Sequence, residues 1–200
     1  MESVQPEHYW NHNSAYHPWI LRVLGRHRRV LDVGCGEGLL LQRLATTADS
    51  VVGLEPDPAT AERARQRVGG RPGVAVIAQG LLEYTAAEPF DAVVFVASLH
   101  HIGLATGIRR AKELLAPGGT LVVVGLLRNR TAGDCTRPAV TLPVIRVAGL
   151  LHREVQDLGV PVADAVESAA DLRRVVRAEL PGAFWRHGLY YRYLLRWTAP

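Results

Sequence analysis

Three glycines at alternate positions form the feature of this chain best suited to bind a ligand. They are Gly34, Gly36 and Gly38, within the run Val-Leu-Asp-Val-Gly-Cys-Gly-Glu-Gly at 30–38, where an apolar stretch gives way to a helical pattern. Glycine adopts backbone dihedrals closed to other residues and lets a ligand approach the main chain closely. An isolated Gly-x-Gly is as often an ordinary tight turn as a ligand-binding loop, so the ligand-binding interpretation needs a second signal.

The second signal is an acid one strand further along the chain. Glu55 directly follows the apolar run Val-Val-Gly-Leu at 51–54, where a carboxylate can accept hydrogen bonds from both hydroxyls of a ribose. The glycine loop reads G-x-G-x-G, whereas the G-x-G-x-x-G of dinucleotide-binding folds places a pyrophosphate on a helix N-terminus. Asp32 and Glu37 add two carboxylates near the loop. They disfavour a pyrophosphate and favour a ligand that carries an ammonium group and a sulfonium cation.

Two adjacent histidines are the candidates for acid-base chemistry. His100 and His101 close the sequence Ser-Leu-His-His after the apolar run 92–97, beyond the carboxyl end of a predicted strand, where ligands bind in open α/β sheets. An imidazole there could take a proton near neutral pH. The alternative is structural, with one histidine capping the following helix and the other packing on the sheet. Cys135 has no histidine in a recognisable relation to it and is interpreted as a passive side chain.

Short valine-rich runs alternate with helical segments along the chain. Strands are predicted at 30–33, 51–54, 74–78, 92–97 and 121–126, and helices at 39–45, 58–68, 107–115 and 168–180. This alternation predicts an α/β fold, a Rossmann-like doubly wound and mostly parallel sheet with helices on both faces. Two strand-like pieces around Gly188 predict a C-terminal antiparallel hairpin. The aromatic residues of its last strand, Tyr190, Tyr191, Tyr193 and Trp197, are interpreted as core packing.

Local signals predict where individual helices begin. Asp57 followed by Pro58 is typical of an N-cap with proline in the first turn. Ser14 is predicted to cap a helix that runs through Trp19. The aromatic-rich stretch 9–17 either folds over the ligand as a lid, with Tyr16 or His17 facing inward, or forms an ordinary helix that covers the sheet edge.

Taken together, these residues resemble the class I S-adenosylmethionine-dependent methyltransferases. The run 30–38 is similar to motif I of that family, 51–55 to its second motif, Phe-Asp-Ala-Val-Val at 90–94 to its fourth strand, and Pro-Gly-Gly-Thr-Leu at 117–121 to the turn into its fifth strand. Within the superfamily, the chain resembles the small enzymes of methyltransferase type 11/12. The resemblance covers 31–124 in detail and implies methyl transfer with S-adenosyl-L-methionine as cofactor.

The resemblance also implies residue roles. Asp32, Gly34 and Gly36 are expected to line the methionine part of the cofactor, Glu55 to hold the ribose, and the main-chain carbonyl near Ala97 to reach the amino group. The expected cofactor-binding set is Asp32, Gly34, Cys35, Gly36, Gly38, Glu55, Gln79, Gly80, Leu81, Ala97 and Tyr16, with no metal. The catalytic candidates are His101 and His100, and His101 is preferred because the family often carries a histidine there.

One position departs from the family pattern. An acid often follows the third strand in the family and hydrogen-bonds the adenine amino group, but this chain reads Gln-Gly-Leu-Leu at 79–82. Leucine therefore falls where that acid would be. Adenine is then expected to be held by main-chain groups and apolar packing, or by Gln79.

Composition bounds the remaining possibilities. The chain has 200 residues, 48% hydrophobic and 21% charged, which suits a single domain over 1–200, with a helical lid at 1–28 and a variable substrate-binding insertion at 128–180. The chain shows neither a signal peptide nor an apolar run long enough to cross a bilayer, so no membrane insertion and a cytoplasmic location are expected. Its two cysteines lie far apart, which favours reduced thiols over a disulfide framework.

The expected partner is a small-molecule acceptor. Net charge is +4, but the arginines are scattered among acids, so nucleic-acid binding is disfavoured. The position after the fourth strand reads Ala-Ser-Leu-His at 97–100 and lacks the Asn/Asp-Pro-Pro-aromatic motif of amino-directed nucleic-acid enzymes. The alternatives are an RNA or protein methyltransferase and a non-catalytic cofactor-binding accessory protein. The acceptor and the oligomeric state stay open.

Overall fold

The computed structural model describes residues 10–128, 167–189 and 192–200, except for the side chains of 27 and 28. Its strands are β1 (His27–Val33), β2 (Ala48–Leu54), β3 (Val74–Ile77), β4 (Phe90–Val96), β5 (Leu115–Leu126), β6 (Phe184–His187) and β7 (Arg192–Thr198). Its α-helices are α1 (His17–Leu24), α2 (Leu39–Leu44), α3 (Pro58–Val68), α4 (Leu99–Ile102), α5 (Leu104–Leu114) and α6 (Ala169–Glu179). A short 3-10 helix, Ser14–Tyr16, precedes α1.

The strands form one sheet in the order β3-β2-β1-β4-β5-β7-β6. The first five are parallel, while β7 pairs antiparallel with both β5 and β6. The predicted mostly parallel sheet with a C-terminal antiparallel hairpin is therefore confirmed. Strand order reverses between β1 and β4, and the carboxyl ends of the strands at such a reversal are where open α/β sheets bind ligands.

Alternation along the strands builds a core on each face of the sheet. Leu31 and Val33 of β1 face the layer made by α5 and α6, whereas Val30 faces the layer made by α1, α2 and α3. This alternation follows from the two-residue period of a strand. Tyr193 and Trp197 are buried in the first layer, which confirms core packing for those two aromatics. Tyr190 and Tyr191 lie outside the described residues.

Two predicted helices begin with side-chain caps. The Asp57 carboxylate accepts a hydrogen bond from the Thr60 backbone N–H at 2.8 Å, and Pro58 occupies the first turn of α3, as predicted. The Ser168 hydroxyl accepts from the Asp171 N–H, and the Asp171 carboxylate accepts from the Ser168 N–H, which forms a capping box at the start of α6.

The predicted cap at Ser14 is wrong. The side-chain oxygen of Asn11 accepts from the Ser14 N–H at 2.9 Å, while the Ser14 hydroxyl accepts from the Asn11 N–H at 2.9 Å. Asn11 therefore caps this turn and Ser14 lies inside it. The reason is that a 3-10 turn precedes α1, so that the helical segment begins earlier in the chain than predicted.

The N-terminal segment is attached to the C-terminal hairpin. The Tyr16 hydroxyl donates to the Leu189 carbonyl at 2.8 Å, and the Arg192 guanidinium donates to the side-chain oxygen of Asn13. Because Arg192 pairs with Leu126 at the end of β5, both contacts lie at the ligand-binding edge of the sheet. Among the described residues, none of the helices has the length and apolar character that crossing a lipid bilayer requires.

Candidate cofactor and acceptor site

The glycine loop after β1 is held at the carboxyl end of β2. The Leu54 carbonyl accepts hydrogen bonds from the N–H groups of Gly34 and Cys35 at 2.8 and 2.9 Å. Gly34 has a φ of +69°, and a Cβ there would lie 2.5 Å from the Cβ of Ser98. Gly36 has a φ of +53°, but no described atom lies within 4 Å of the place a Cβ would take. The loop therefore packs tightly against Ser98 at Gly34 and leaves room for a ligand at Gly36.

Glu55 is fixed beside this loop by two backbone donors. Its Oε2 accepts from the Gly36 N–H at 3.0 Å, and its Oε1 accepts from the Asp57 N–H at 3.1 Å. Glu55 is 6% exposed. Each carboxylate oxygen can accept more than one hydrogen bond. The two oxygens therefore remain able to receive a pair of vicinal hydroxyls.

Asp32 is a buried acid near the end of β1, next to the glycine loop. Its Oδ2 has no hydrogen-bond partner among the described residues. Burial, and secondly the Glu55 carboxylate, raise the pKa of Asp32 from 3.8 to about 7. An ionised acid in such a position is stabilised by a nearby cation.

Glu37 has a different role from the one predicted. Its carboxylate pairs with Arg63 at 2.9 Å and with Arg67 at 3.6 Å, and the Arg67 side chain also donates to the Glu37 carbonyl. Both arginines belong to α3. Glu37 therefore fixes the loop to α3 and is not a second free carboxylate beside Asp32.

The other two predicted loop residues have packing roles in the structure. The Cys35 thiol is buried among the side chains that cover β1 and β2, and burial raises its pKa, so the thiol stays protonated. Gly38 is the N-cap residue of α2 and has a φ of +80°, and a Cβ there would lie 3.2 Å from Ala64 of α3. Cofactor contacts by these two residues stay a prediction.

The turn after β3 presents main chain and apolar groups. Gln79 and Gly80 are partly exposed, whereas Leu81 is 2% exposed and packs in the core. No sequence pattern marks Glu83, but its Oε2 lies 2.6 Å from the place a Cβ on Gly80 would take. An acid therefore lies beside this turn although the family position holds leucine.

The turn after β4 lies between the loop and β5. Ala97 has a φ of +52°, which is unusual for a residue with a side chain. Its N–H donates to the Val124 carbonyl at 2.8 Å, and the Ser98 hydroxyl donates to the Val33 carbonyl of β1. These bonds hold the Ala97 backbone next to the glycine loop.

A cavity of about 10 Å³, enough for one water molecule, lies beyond this turn, at the carboxyl ends of β4 and β5. We call it the acceptor cavity, and its lining residues are Leu99, His100, Leu104, Leu126, Leu127, Glu167, Leu172 and Tyr193. His100 thus lines the cavity. His101, the preferred candidate, is exposed and contacts the His100 ring at a centroid distance of 4.2 Å.

The Tyr16 hydroxyl donates to the Leu189 carbonyl of the hairpin, and its side chain packs against the core cluster that contains Cys35. A role against the cofactor stays a prediction for this residue. The described residues contain no cluster of His, Cys, Asp and Glu side chains arranged to hold a metal ion.

Comparison with known proteins decides the family. Residues 30–119 match the model of a methyltransferase domain. An uncharacterized methyltransferase of Mycobacterium tuberculosis is 35% identical over 197 residues, which cover 96% of this chain and 98% of that protein. The chain belongs to the S-adenosylmethionine-dependent methyltransferases.

More distant relatives agree with this assignment. A ubiquinone biosynthesis O-methyltransferase of Azorhizobium caulinodans is 36% identical over 111 residues, 52% of this chain and 41% of that protein. The N-methyltransferase NodS from Bradyrhizobium japonicum WM9, in complex with S-adenosyl-L-homocysteine, matches with a TM-score of 0.66 at 21% identity, covering 94% of this chain and 87% of that one. The fold of this methyltransferase is therefore that of the class I enzymes.

The residues of this methyltransferase fit the cofactor of its family, S-adenosylmethionine. The cofactor supplies a methyl group on a sulfonium, together with an ammonium group and a ribose. Asp32 provides a buried carboxyl without a partner in the described part of the chain, and Glu55 provides two oriented oxygens. Gly36 leaves open space at the loop. Charge, hydrogen-bonding capacity and space all match.

Proposed function

We propose that this methyltransferase acts on a small-molecule acceptor. The observation that carries the proposal is the apolar lining next to the Ala97 turn, where five leucines surround a cavity with room for about one water molecule, so that an acceptor must displace these side chains to enter. Pockets for small molecules combine an apolar lining with a few placed polar groups. Relatives named for ubiquinone biosynthesis support the same class of acceptor.

We assign the cofactor contacts as follows. The Glu55 oxygens hold the ribose hydroxyls, Asp32 neutralises the positive charge of the methionine part, and the Gly34 and Gly36 backbone lines that part. The Ala97 carbonyl receives the amino group. Gln79, Gly80 and Leu81 hold adenine through main chain and packing, Cys35 and Gly38 shape the loop, and Tyr16 covers the site from the N-terminal segment.

Positioning supplies much of the catalysis in this proposal. Methyl transfer from a sulfonium is an in-line displacement, so a fixed donor and acceptor in near-attack geometry lower the barrier. A base is needed only where the acceptor must lose a proton. His100 lines the acceptor cavity and is the better placed of the two histidines, with His101 stacked behind it.

The domain organisation supports acceptor selection at the same edge. The Arg128 N–H donates to the Glu167 carbonyl at 2.9 Å, so the described residues on either side of 129–166 meet beside the acceptor cavity. We propose that one domain carries both sites, that the N-terminal segment covers the cofactor, and that the insertion at 128–180 contributes to acceptor choice.

The test separates small acceptors from macromolecular ones. The purified protein is incubated with methyl-labelled S-adenosylmethionine and a cell extract that has been divided by size into metabolites, RNA and protein. We expect label in the metabolite fraction, and less of it with the control variant Glu55→Ala at a limiting cofactor concentration. Label confined to RNA or protein would contradict the proposal.

A further inference from the structure

The turn after β4 contains a residue in a strained backbone conformation. Ala97 has a φ of +52°, and in the described part of the chain it is the one residue other than glycine with a positive φ. A residue with a Cβ adopts this left-handed conformation at a cost, and it persists there only where the surrounding contacts enforce it. The contacts on either side of Ala97 therefore have to offset this strain.

The backbone is held on both sides of Ala97, by the two strands that flank β4 in the sheet. The Ala97 N–H donates to the Val124 carbonyl of β5 at 2.8 Å. The Ser98 hydroxyl donates to the Val33 carbonyl at the end of β1 at 2.5 Å. Ser98 is 8% exposed, so this second bond is protected from water. The Ala97 carbonyl lies between the two bonds in the chain, and its direction is thereby fixed.

The Ser98 hydroxyl is not used in the way that its place in the chain favours. Ser98 is the N-cap residue of α4, where a serine oxygen commonly accepts a hydrogen bond from an N–H of the first helical turn. Within this described turn, its side chain makes no such bond. A hydroxyl has one proton to donate, and Ser98 donates it to the Val33 carbonyl. The hydroxyl therefore connects the turn to β1 and has no second proton for a ligand.

The glycine loop packs directly on the Ser98 side chain. A Cβ at Gly34 would lie 2.5 Å from the Ser98 Cβ and 3.2 Å from the Ser98 hydroxyl oxygen. The Gly34 N–H is itself bonded to the Leu54 carbonyl at 2.8 Å. Ser98 thus sets the position of the Ala97 turn relative to the loop that is assigned to the cofactor.

We propose that Ser98 is a positioning residue for the cofactor, because its hydroxyl holds Ala97 at a positive φ and so directs the Ala97 carbonyl at the amino group of the methionine part. Ser98 itself does not contact the cofactor and acts through Ala97. The inference rests on the proposed function, in which this carbonyl receives the amino group. Without the hydroxyl, Ala97 returns to the negative φ that residues with a side chain prefer, and its carbonyl turns away.

Calorimetric titration of Ser98→Ala with two ligands tests this role. The first ligand is S-adenosylhomocysteine, and the second is its deaminated analogue, in which hydrogen replaces the α-amino group. Ser98→Ala should bind S-adenosylhomocysteine about tenfold more weakly than the wild type, as the cost of a left-handed alanine predicts. Its affinity for the deaminated analogue should equal that of the wild type. Thr46→Val is the control, since the Thr46 hydroxyl also donates to a backbone carbonyl, that of Arg43 in α2, and both affinities should stay unchanged.

Glycine at position 97 separates positioning from a general loss of structure. Glycine adopts positive and negative φ about equally readily, so the double variant Ala97→Gly/Ser98→Ala should regain most of the tenfold loss. Without ligand, Ala97→Gly alone should unfold at the same temperature as the wild type or at a higher one, because the strain at this position is removed.

Three results would overturn the inference. They are equal weakening of both ligands by Ser98→Ala, unchanged S-adenosylhomocysteine affinity in that variant, and a double variant that binds as weakly as Ser98→Ala. If Ser98→Ala does not fold, the double variant is compared with Ala97→Gly, and the two should bind S-adenosylhomocysteine within about threefold of each other; a tenfold difference would then count against the role of Ser98. If the wild type does not bind S-adenosylhomocysteine, the proposed function itself fails.

Discussion

Asp32→Asn should stabilise the cofactor-free protein and at the same time weaken its binding of S-adenosylmethionine. The pKa of Asp32 rises from 3.8 to about 7 because the carboxyl is buried and lies near Glu55. The folded state therefore binds a proton more tightly than the unfolded state. The contribution of Asp32 to stability is then greatest below pH 4, falls as the pH rises from about 4 to about 7, and is constant above that range.

The size of the effect follows from the same two pKa values. Each pH unit between them corresponds to about 1.4 kcal/mol, which puts the cost of the ionised acid near 4 kcal/mol at pH 8. The asparagine amide must also be buried without its usual partners, at a cost of about 2 kcal/mol. A net gain of roughly 2 kcal/mol should raise Tm by on the order of 5 °C.

Thermal unfolding at pH 5 and pH 8 measures this gain without cofactor. Asp32→Asn should unfold at a higher temperature than the wild type at pH 8, and the difference should shrink or reverse at pH 5. Asp49→Asn is the control, because Asp49 is an exposed acid of β2. An Asp32→Asn protein that is less stable than the wild type at pH 8 would refute the reasoning about burial.

Cofactor affinity should respond in the opposite direction. Since a cation favours ionised Asp32, the wild type should lose S-adenosylmethionine affinity as the pH falls below about 7, approaching tenfold per pH unit. Asp32→Asn should bind weakly at every pH and show a flat profile. S-adenosylhomocysteine lacks the sulfonium charge, so its affinity should depend on Asp32 less. An equally flat profile for the wild type would remove Asp32 from the site.

Three further predictions address the loop, the histidines and the adenine turn. Gly36→Ala should cost about 1 kcal/mol of stability because of its positive φ, and it should abolish cofactor binding. Gly34→Ala should be less stable still, because its Cβ meets Ser98. Thermal unfolding with and without S-adenosylhomocysteine distinguishes the two variants, and tight binding by Gly36→Ala would contradict the interpretation that the loop is open for a ligand at Gly36. His100→Ala should lower the turnover of an accepted substrate, while the cofactor affinity measured by calorimetry stays unchanged. Full turnover at neutral pH would show that His100 has only a structural role. Glu83→Ala should weaken S-adenosylhomocysteine a few-fold and S-inosylhomocysteine not at all, because only adenine offers an amino group to the carboxylate; equal losses would exclude that contact.

Local sequence signals were enough to predict the structure where a residue and its partner are close in sequence. The Asp57 cap and the bounds of α3 depend on contacts within one turn, so the pattern of residues 57–68 predicted them. The parallel strands likewise followed from continuous valine-rich runs. The loop after β1 and Glu55 could be paired because a βα unit brings the ends of adjacent strands together.

Contacts between residues far apart in the chain could not be predicted from local sequence patterns. Glu37 and Arg63 both carry charge at the loop, but only packing of α3 against it decides that they pair. Glu167 meets Leu104 across 63 positions of chain, and no local pattern marks it as part of the acceptor cavity. The orientation of α4 determines which of two adjacent histidines lines that cavity. Each of these depends on how elements pack together, which is decided by the whole core.

Calorimetric titration of S-adenosylmethionine into the wild type and Glu55→Ala tests the central claim most directly. We expect saturable binding of one cofactor per chain by the wild type. Glu55→Ala should bind more weakly by about 1 to 3 kcal/mol, because hydrogen bonds from the ribose to a charged acceptor are lost. Folded wild-type protein that gives no binding heat and no thermal stabilisation with this ligand would contradict the account.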